Sequence, residues 1–130
     1  MARTDIYRFT SRGEELIGYV TDDNAIHRLR WEEGIVIGRH DGEGRIYRRT
    51  QHDERELGTV TDDGVIRSHG LFEGGELGWL EADGRVVQGG MIFEEEEIGR
   101  VNGPDANAAA AALLLIFLPD EAEANRRMMR

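Results

Sequence analysis

The sequence contains no cysteine and no lysine, and its only prolines are Pro104 and Pro119. Without cysteine it has no disulfides, thiol nucleophiles or thiolate metal sites. All 16 basic residues are arginine, which excludes Schiff-base lysines and a phosphate-loop lysine. Serine is nearly as scarce, with Ser11 and Ser68 alone, and neither sits in a nucleophile elbow. Ser68 and His69 are adjacent, and neighbouring strand residues face opposite ways, so they form no relay. Positive charge is in deficit. A net charge of -10 and a pI near 4.8 argue against a nucleic-acid partner, which selects a basic footprint.

Long apolar runs are also few. The one candidate, Ala106–Leu118, is broken by Asn107 and as a helix would span roughly 20 Å, short of a hydrocarbon core of about 30 Å. Residues 1–9 hold no apolar stretch of signal-peptide length, so a cytoplasmic protein is expected. With 130 residues, 39% hydrophobic and 32% charged at a mean hydropathy of -0.52, the chain reads as one soluble domain with a real core.

What is present in abundance is repetition. An apolar–Gly pair recurs at Ile17-Gly18, Ile37-Gly38, Leu57-Gly58, Leu77-Gly78 and Ile98-Gly99, with the glycines 20, 20, 20 and 21 residues apart. Two positions on stand Val20, His40, Val60, Leu80 and Val101. Six on stand Asn24, Gly44, Gly64, Gly84 and Asp105, and eight on Ile26, Ile46, Ile66 and Val86. The fifth unit breaks away there into the alanine run.

Each unit reads as two strands. Thr21–Ala25 and Thr61–Val65 have the form of three-residue hairpin loops whose last position is left-handed, which glycine adopts freely and asparagine tolerates. Second turns are expected at Glu32-Glu33-Gly34, His52-Asp53-Glu54, Glu73-Gly74-Gly75 and Glu94-Glu95-Glu96. Strand-forming stretches such as Ile35-Val36-Ile37, Val86-Val87 and Met91-Ile92-Phe93 lie between turns. With Ile6–Ser11 as opener, the sum is ten short strands in a meander. Ile17 and Val20, three apart, cannot share a face of a plain strand. The intervening Gly therefore marks a bulge that bends the strand, or a place where something approaches the backbone closely.

The apolar run follows Gly103-Pro104-Asp105, with Asp105 as expected N-cap, and should end at Pro119. A helix apolar on every side has to be surrounded. A closed ten-stranded barrel has a radius of roughly 10 Å, which one axial helix fills. The thin half, Ala108–Ala112, and thick half, Leu113–Leu118, suit a tapering lumen. The expected fold is thus all-β: a closed or nearly closed antiparallel barrel around a hydrophobic C-terminal helix. One domain is expected over residues 1–119, with the central helix at about 105–118 and a loose polar tail over 120–130.

Five iterations of Ile/Leu-Gly-x-Val-x-x-Asp-Gly-x-Ile before an apolar terminal helix resemble the bacterial β-flower proteins. More distantly they resemble the tubby-like and phospholipid-scramblase barrels. The resemblance covers residues 14–118 and implies a fold. The tubby-like comparison would add a link to phosphoinositide membranes, on architecture alone.

Chemistry-bearing residues offer less pattern. His27, His40, His52 and His69 make no short metal spacing, and His27 and His40 fall on different strands. His40 takes an inward slot held elsewhere by Val or Leu, where burial would favour the neutral imidazole. Asp22-Asp23, Asp62-Asp63 and Asp83 sit where hairpins use aspartate, and Glu94–Glu97 is a solvated run, so neither paired catalytic acids nor calcium is favoured. No catalytic residue, cofactor site or metal site is therefore expected. Arginine clusters at Arg28, Arg30, Arg39, Arg45, Arg48, Arg49 and Arg55, either as a patch for an anion or acidic partner or as partners of cross-strand carboxylates. Trp31, Trp79 and Tyr19 could anchor an interface or cap the core.

The leading functional expectation is a non-enzymatic interaction or scaffolding module with a protein partner or a second copy of itself. The alternatives are a lipid- or membrane-surface-associated module using the arginine patch, and a small-molecule-binding or hydrolytic enzyme at the barrel mouth around His40.

Overall fold

Each apolar–Gly pair lies at a break in strand register. The pairing slips between Ile6 and Tyr7, Ile26 and His27, Ile46 and Tyr47, Ile66 and Arg67, and Glu97 and Gly99, each time opposite or at a repeat glycine. These bulges bend ten antiparallel strands into a closed barrel, seen in a computed structural model that describes residues 2–69, 75–90 and 94–128. The strands are β1 (Arg3–Thr10), β2 (Gly13–Thr21), β3 (Ala25–Arg30), β4 (Glu33–His40), β5 (Arg45–Arg49), β6 (Glu54–Val60), β7 (Val65–Ser68), β8 (Gly75–Leu80), β9 (Arg85–Gln88) and β10 (Glu96–Asn102). They run as a meander, and β1 closes it by pairing with β10. That closure completes the fifth unit: Ile6 supplies the position of Ile26, Ile46, Ile66 and Val86, and all five side chains are fully buried.

The three-residue hairpins have the expected left-handed residue, Asn24 at φ 71° and Gly44, Gly64 and Gly84 at 85–95°. The carbonyl of each accepts a hydrogen bond from the next unit, from the N–H of His40, Val60, Leu80 and Val101 at 2.7–3.0 Å. The turn thus ties repeat to repeat as well as strand to strand. The opposite turns fall earlier than expected. Glu33, Gly34, Glu54 and Glu96 already belong to strands, and the first of these turns is the two-residue pair Trp31-Glu32, both at positive φ. The expected turn at Glu73-Gly74 and the stretch Met91-Ile92-Phe93 lie outside the described residues; Gly75 opens β8.

Inside runs the helix, as α1 (Ala106–Ala112), a π-helical turn (Leu113–Phe117) and α2 (Leu118–Met128). Ala108–Phe117 are all buried. Both readings of the repeat glycine hold, because the bulge coexists with close approach by the helix. A Cβ on Gly58 would overlap the carbonyl oxygen of Arg67 and lie 3.0 Å from Leu115. On Gly18 it would meet Phe117 at 2.6 Å, on Gly38 Ile116 at 3.1 Å and on Gly99 Leu113 at 2.9 Å. The helix's thickness gradient is answered by the wall's composition. Glycines face the bulky turn, and the alanines share the core with the buried Val20, Val60, Val101 and the five aligned Ile/Val side chains.

Two expectations about the helix ends change. The Asp105 carboxylate makes no cap hydrogen bond. Instead the Asp105 N–H donates to Oγ1 of fully buried Thr4 at 2.8 Å, and its carbonyl accepts from the Ala109 N–H at 3.0 Å. Nor does the helix stop at Pro119. A proline ring collides with the carbonyl four residues back and lacks an N–H; the wide i→i+5 turn just before it is where such a residue is accommodated. Residues 120–128 are therefore helix rather than loose tail, because the buried segment has already supplied the costly nucleus. No helix among the described residues is long and apolar enough to cross a membrane.

Filling the glycine ring should be destructive. Gly58→Ala is expected to destabilise the barrel by about 1–3 kcal/mol in denaturant titration, as overpacking does. Adding Leu115→Ala should not rescue it, since the tighter overlap is with backbone.

Candidate functional site

A barrel with its lumen filled presents chemistry at its two ends. The helix starts at the mouth, ringed by the three-residue turns, and leaves by the exit, ringed by the other turns.

At the exit the repeat continues in a register visible ten residues past each glycine: Arg28, Arg48, Ser68 and Gln88, with Arg8 completing the set from β1. The three arginines meet the emerging helix, while Ser68 and Gln88 line a cleft beside it. Arg28 and Arg48 hold the two oxygens of Asp120 at 2.5 and 2.7 Å, and Arg8 binds Glu121 through both carboxylate oxygens at 3.1 and 3.2 Å. Arg8 also donates to the carbonyls of Phe9 and Ile98 at 2.9 Å. Arg28 lies over the Phe117 ring at 5.5 Å. Reading the repeat at that offset is the signal that would have found this collar.

The expected arginine patch is thereby divided. Arg28 and Arg48 clamp Asp120, Arg39 pairs with Glu54 at 2.7 Å and stacks on Tyr47, and Arg45 pairs with Asp41 and Glu43 at 2.8 and 3.1 Å. Arg30, Arg49 and Arg55 are exposed. Of the seven, Arg39 pairs across strands, Arg28 and Arg48 pair with the helix, and Arg45 pairs within its own turn.

Two clefts flank the exit. One, about 490 Å³, runs between the helix and β6–β9, lined by Leu57, Leu77, Leu114, Leu115, Leu118 and Ala122. The other, about 290 Å³, includes Leu16, Leu29, Phe117 and Ala124. Beside the second, the β3–β4 hairpin carries Trp31, 93% exposed. The other two aromatics named from sequence lie on the wall: Trp79 donates to Glu81 at 3.0 Å, and Tyr19 stacks on His27 at 4.6 Å.

At the mouth, His40 faces inward as expected and is 6% exposed. Its Nδ1 accepts the Gly42 N–H at 3.2 Å, while Nε2 is buried without a partner. Burial pushes its pKa below the ordinary imidazole value, opposed by the charges of Asp105 and Asp41. It lines a cleft of about 430 Å³ with Asn24, Thr61, Asp62, Asp105 and Asn107. His27 lies on the outer wall, also lowered by burial; His69 meets Glu56 at 2.6 Å, and His52 is an exposed turn residue. Among the described residues no three His, Asp or Glu side chains converge as a metal cluster would.

No family model, curated protein or solved structure matches this chain.

Two outcomes test these ends. Asp120→Ala should lower stability by about 1 kcal/mol, since two half-exposed guanidiniums lose their carboxylate, and reduce helical signal in far-ultraviolet circular dichroism. At the mouth, a lowered imidazole pKa means that the unfolded chain binds more protons than the native one below about pH 6.5. Stability is then full above that pH and lost as pH falls toward the native pKa. His40→Val should flatten this part of the melting-temperature profile relative to wild type.

Proposed function

We propose that this protein is a non-enzymatic interaction module that docks a protein partner at its exit rim, with Trp31 as anchor. One observation carries the reading: a fully presented indole on a backbone unsuited to it. Trp31 and Glu32 form a two-residue hairpin with φ of 49° and 73°, a turn that favours Asn-Gly. Left-handed backbone disfavours side chains with a Cβ, and at 93% exposure the ring gains almost nothing from its own fold. Strain of this sort, held by a rigid frame, is characteristic of binding sites. Tryptophan is also the side chain most able to supply binding energy from one position. The Arg30–Glu33 pairing and the closed wall fix its direction.

The closed wall around a C-terminal helix supports assigning the chain to the β-flower type, and at greater distance to the tubby-like barrels. A membrane-surface role finds less support. Arg28, Arg39, Arg45 and Arg48 are engaged by carboxylates, and a net charge of -10 is repelled by anionic lipid.

A second copy of the chain is the first partner to test. Solution mass should rise with concentration, and Trp31→Asn with Glu32→Gly should abolish that rise while increasing stability by about 1 kcal/mol. A photo-crosslinker at position 31 extends the test to other proteins. Should the double variant keep the wild-type mass profile and the same crosslinked partners, the reading fails.

A further inference from the structure

The exit collar is incomplete on one side. At the position that carries Arg8, Arg28 and Arg48 on β1, β3 and β5, the repeat has Ser68 on β7 and Gln88 on β9. Among the described residues, the ion pairs between wall and helix therefore all lie on the β1–β5 arc. On the other arc lies the cleft of about 490 Å³, bordered by Ser68 and Gln88. Buried Leu77, Leu114 and Leu115 floor it, and the more accessible Leu57, Leu118 and Ala122 form its sides. From Leu114 to Ala122 the lining follows the helix for roughly 12 Å. A second rim position, three residues before each repeat glycine, carries Glu15, Ile35, Arg55, Gly75 and Glu96. Arg55 is the one cation of that set, and it borders the cleft. It is exposed, and no carboxylate pairs with it among the described residues. Its sequence neighbours are taken, Glu54 by Arg39 at 2.7 Å and Glu56 by His69 at 2.6 Å. Across the strand pair it faces Arg48, which is itself held by Asp120.

We infer that this cleft binds a free medium-chain fatty acid, with its carboxylate on Arg55 and its alkyl chain along Leu57, Leu77, Leu115 and Leu118. A guanidinium presents paired donors matched to both oxygens of a carboxylate. An apolar trough with a charged group at its open edge fixes such a ligand's orientation, and each methylene taken from water adds affinity. The length of the lining along the helix suits a chain of medium length. Ser68 and Gln88, standing where other repeats have arginine, leave the trough open and keep Arg55 the one guanidinium among its lining residues. A bilayer is the poorer source of the anion, because a net charge of -10 is repelled by anionic lipid, whereas a single acid meets Arg55 locally. The cleft lies on β6–β9, away from Trp31 on the β3–β4 hairpin, so it stands apart from the docking surface.

The test uses the whole chain with octanoate as probe, kept below its micellar range. Titration calorimetry is expected to show saturable one-to-one binding. 1-Octanol, which has the chain without the charge, should bind about tenfold more weakly, and acetate not at all. Arg55→Gln should bring octanoate down to the level of octanol and leave octanol unchanged; the side chain is exposed, so the barrel is retained. Ala122→Trp, on the exposed part of α2, should cover the trough and block both probes. In the wild type, the methyl resonances of Leu57 and Leu118 should shift as octanoate saturates. Vesicles of phosphatidylcholine with phosphatidylglycerol should not retain the protein on sedimentation. Absence of saturable octanoate binding, equal binding of octanol, unchanged affinity in Arg55→Gln, or octanoate that leaves those methyls unmoved would each overturn the proposal. Vesicle retention that Arg55→Gln abolishes would place the anion in a bilayer and equally refute a free ligand.

Discussion

The contact on which the structure depends is between bare backbone and bulky side chains. Leu113, Leu115, Ile116 and Phe117 press on the wall at Gly99, Gly58, Gly38 and Gly18. Only where the wall lacks Cβ atoms can a helix with large residues pass along the axis. The same glycines sit at the bulges, so one residue type both curves the sheet and clears room for what the curved sheet encloses. Neither half stands alone: an apolar-all-round helix is insoluble without its wall, and a ten-stranded ring without the helix has a void.

Five-fold walls and α-helices do not match naturally. An α-helix places 3.6 residues per turn, so a single turn cannot address five repeats. The helix widens to a π turn at Leu113–Phe117, and its consecutive residues are handed around the ring. Phe117 goes to the first glycine, Ile116 to the second, Leu115 to the third and Leu113 to the last, while Leu114 shares a cleft with Leu77 of the fourth unit. The π turn is a fit between the symmetry of the wall and the pitch of the helix. It is also what lets Pro119 follow without ending the helix.

The architecture was legible because it is written five times. A spacing of 20 residues repeated on apolar and glycine positions fixes hairpins and a closed meander, and Asn24 at φ 71° falls where a Gly-equivalent was required. What escaped was whatever occurs once or depends on distant partners. The helical continuation past Pro119 depends on a π turn that has no local signature. The Asp120 clamp needs Arg28 and Arg48, each more than 70 residues away, to lie on one rim. For the same reason the division of the clustered arginines was hidden: Arg28 and Arg48 go to α2, Arg39 to β6 and Arg45 to its own turn, while Arg30, Arg49 and Arg55 are exposed. Of the candidate sites, inward-facing His40 was legible as an odd residue in a repeated slot. The left-handed turn under Trp31 was not, because nothing about Arg30-Trp31-Glu32-Glu33 favours it.

Filling the lumen has a consequence for where function can reside. In an open barrel the interior is the binding site; here that space is committed to Ala108–Phe117, and the molecule can meet others only at its rims and wall. The two rims differ in kind. Carboxylates recur in the mouth turns, from Asp22-Asp23 to Asp105, around a buried imidazole. At the exit, arginines are spent on holding α2, and the side chain left presented is an indole. Because the helix runs from one rim to the other, fixed by Thr4 at the mouth and by Arg8, Arg28 and Arg48 at the exit, it is the one element both ends share. A closed, filled barrel is therefore held from within: its plug is pinned to the wall at the mouth by Thr4 and at the exit by three arginines.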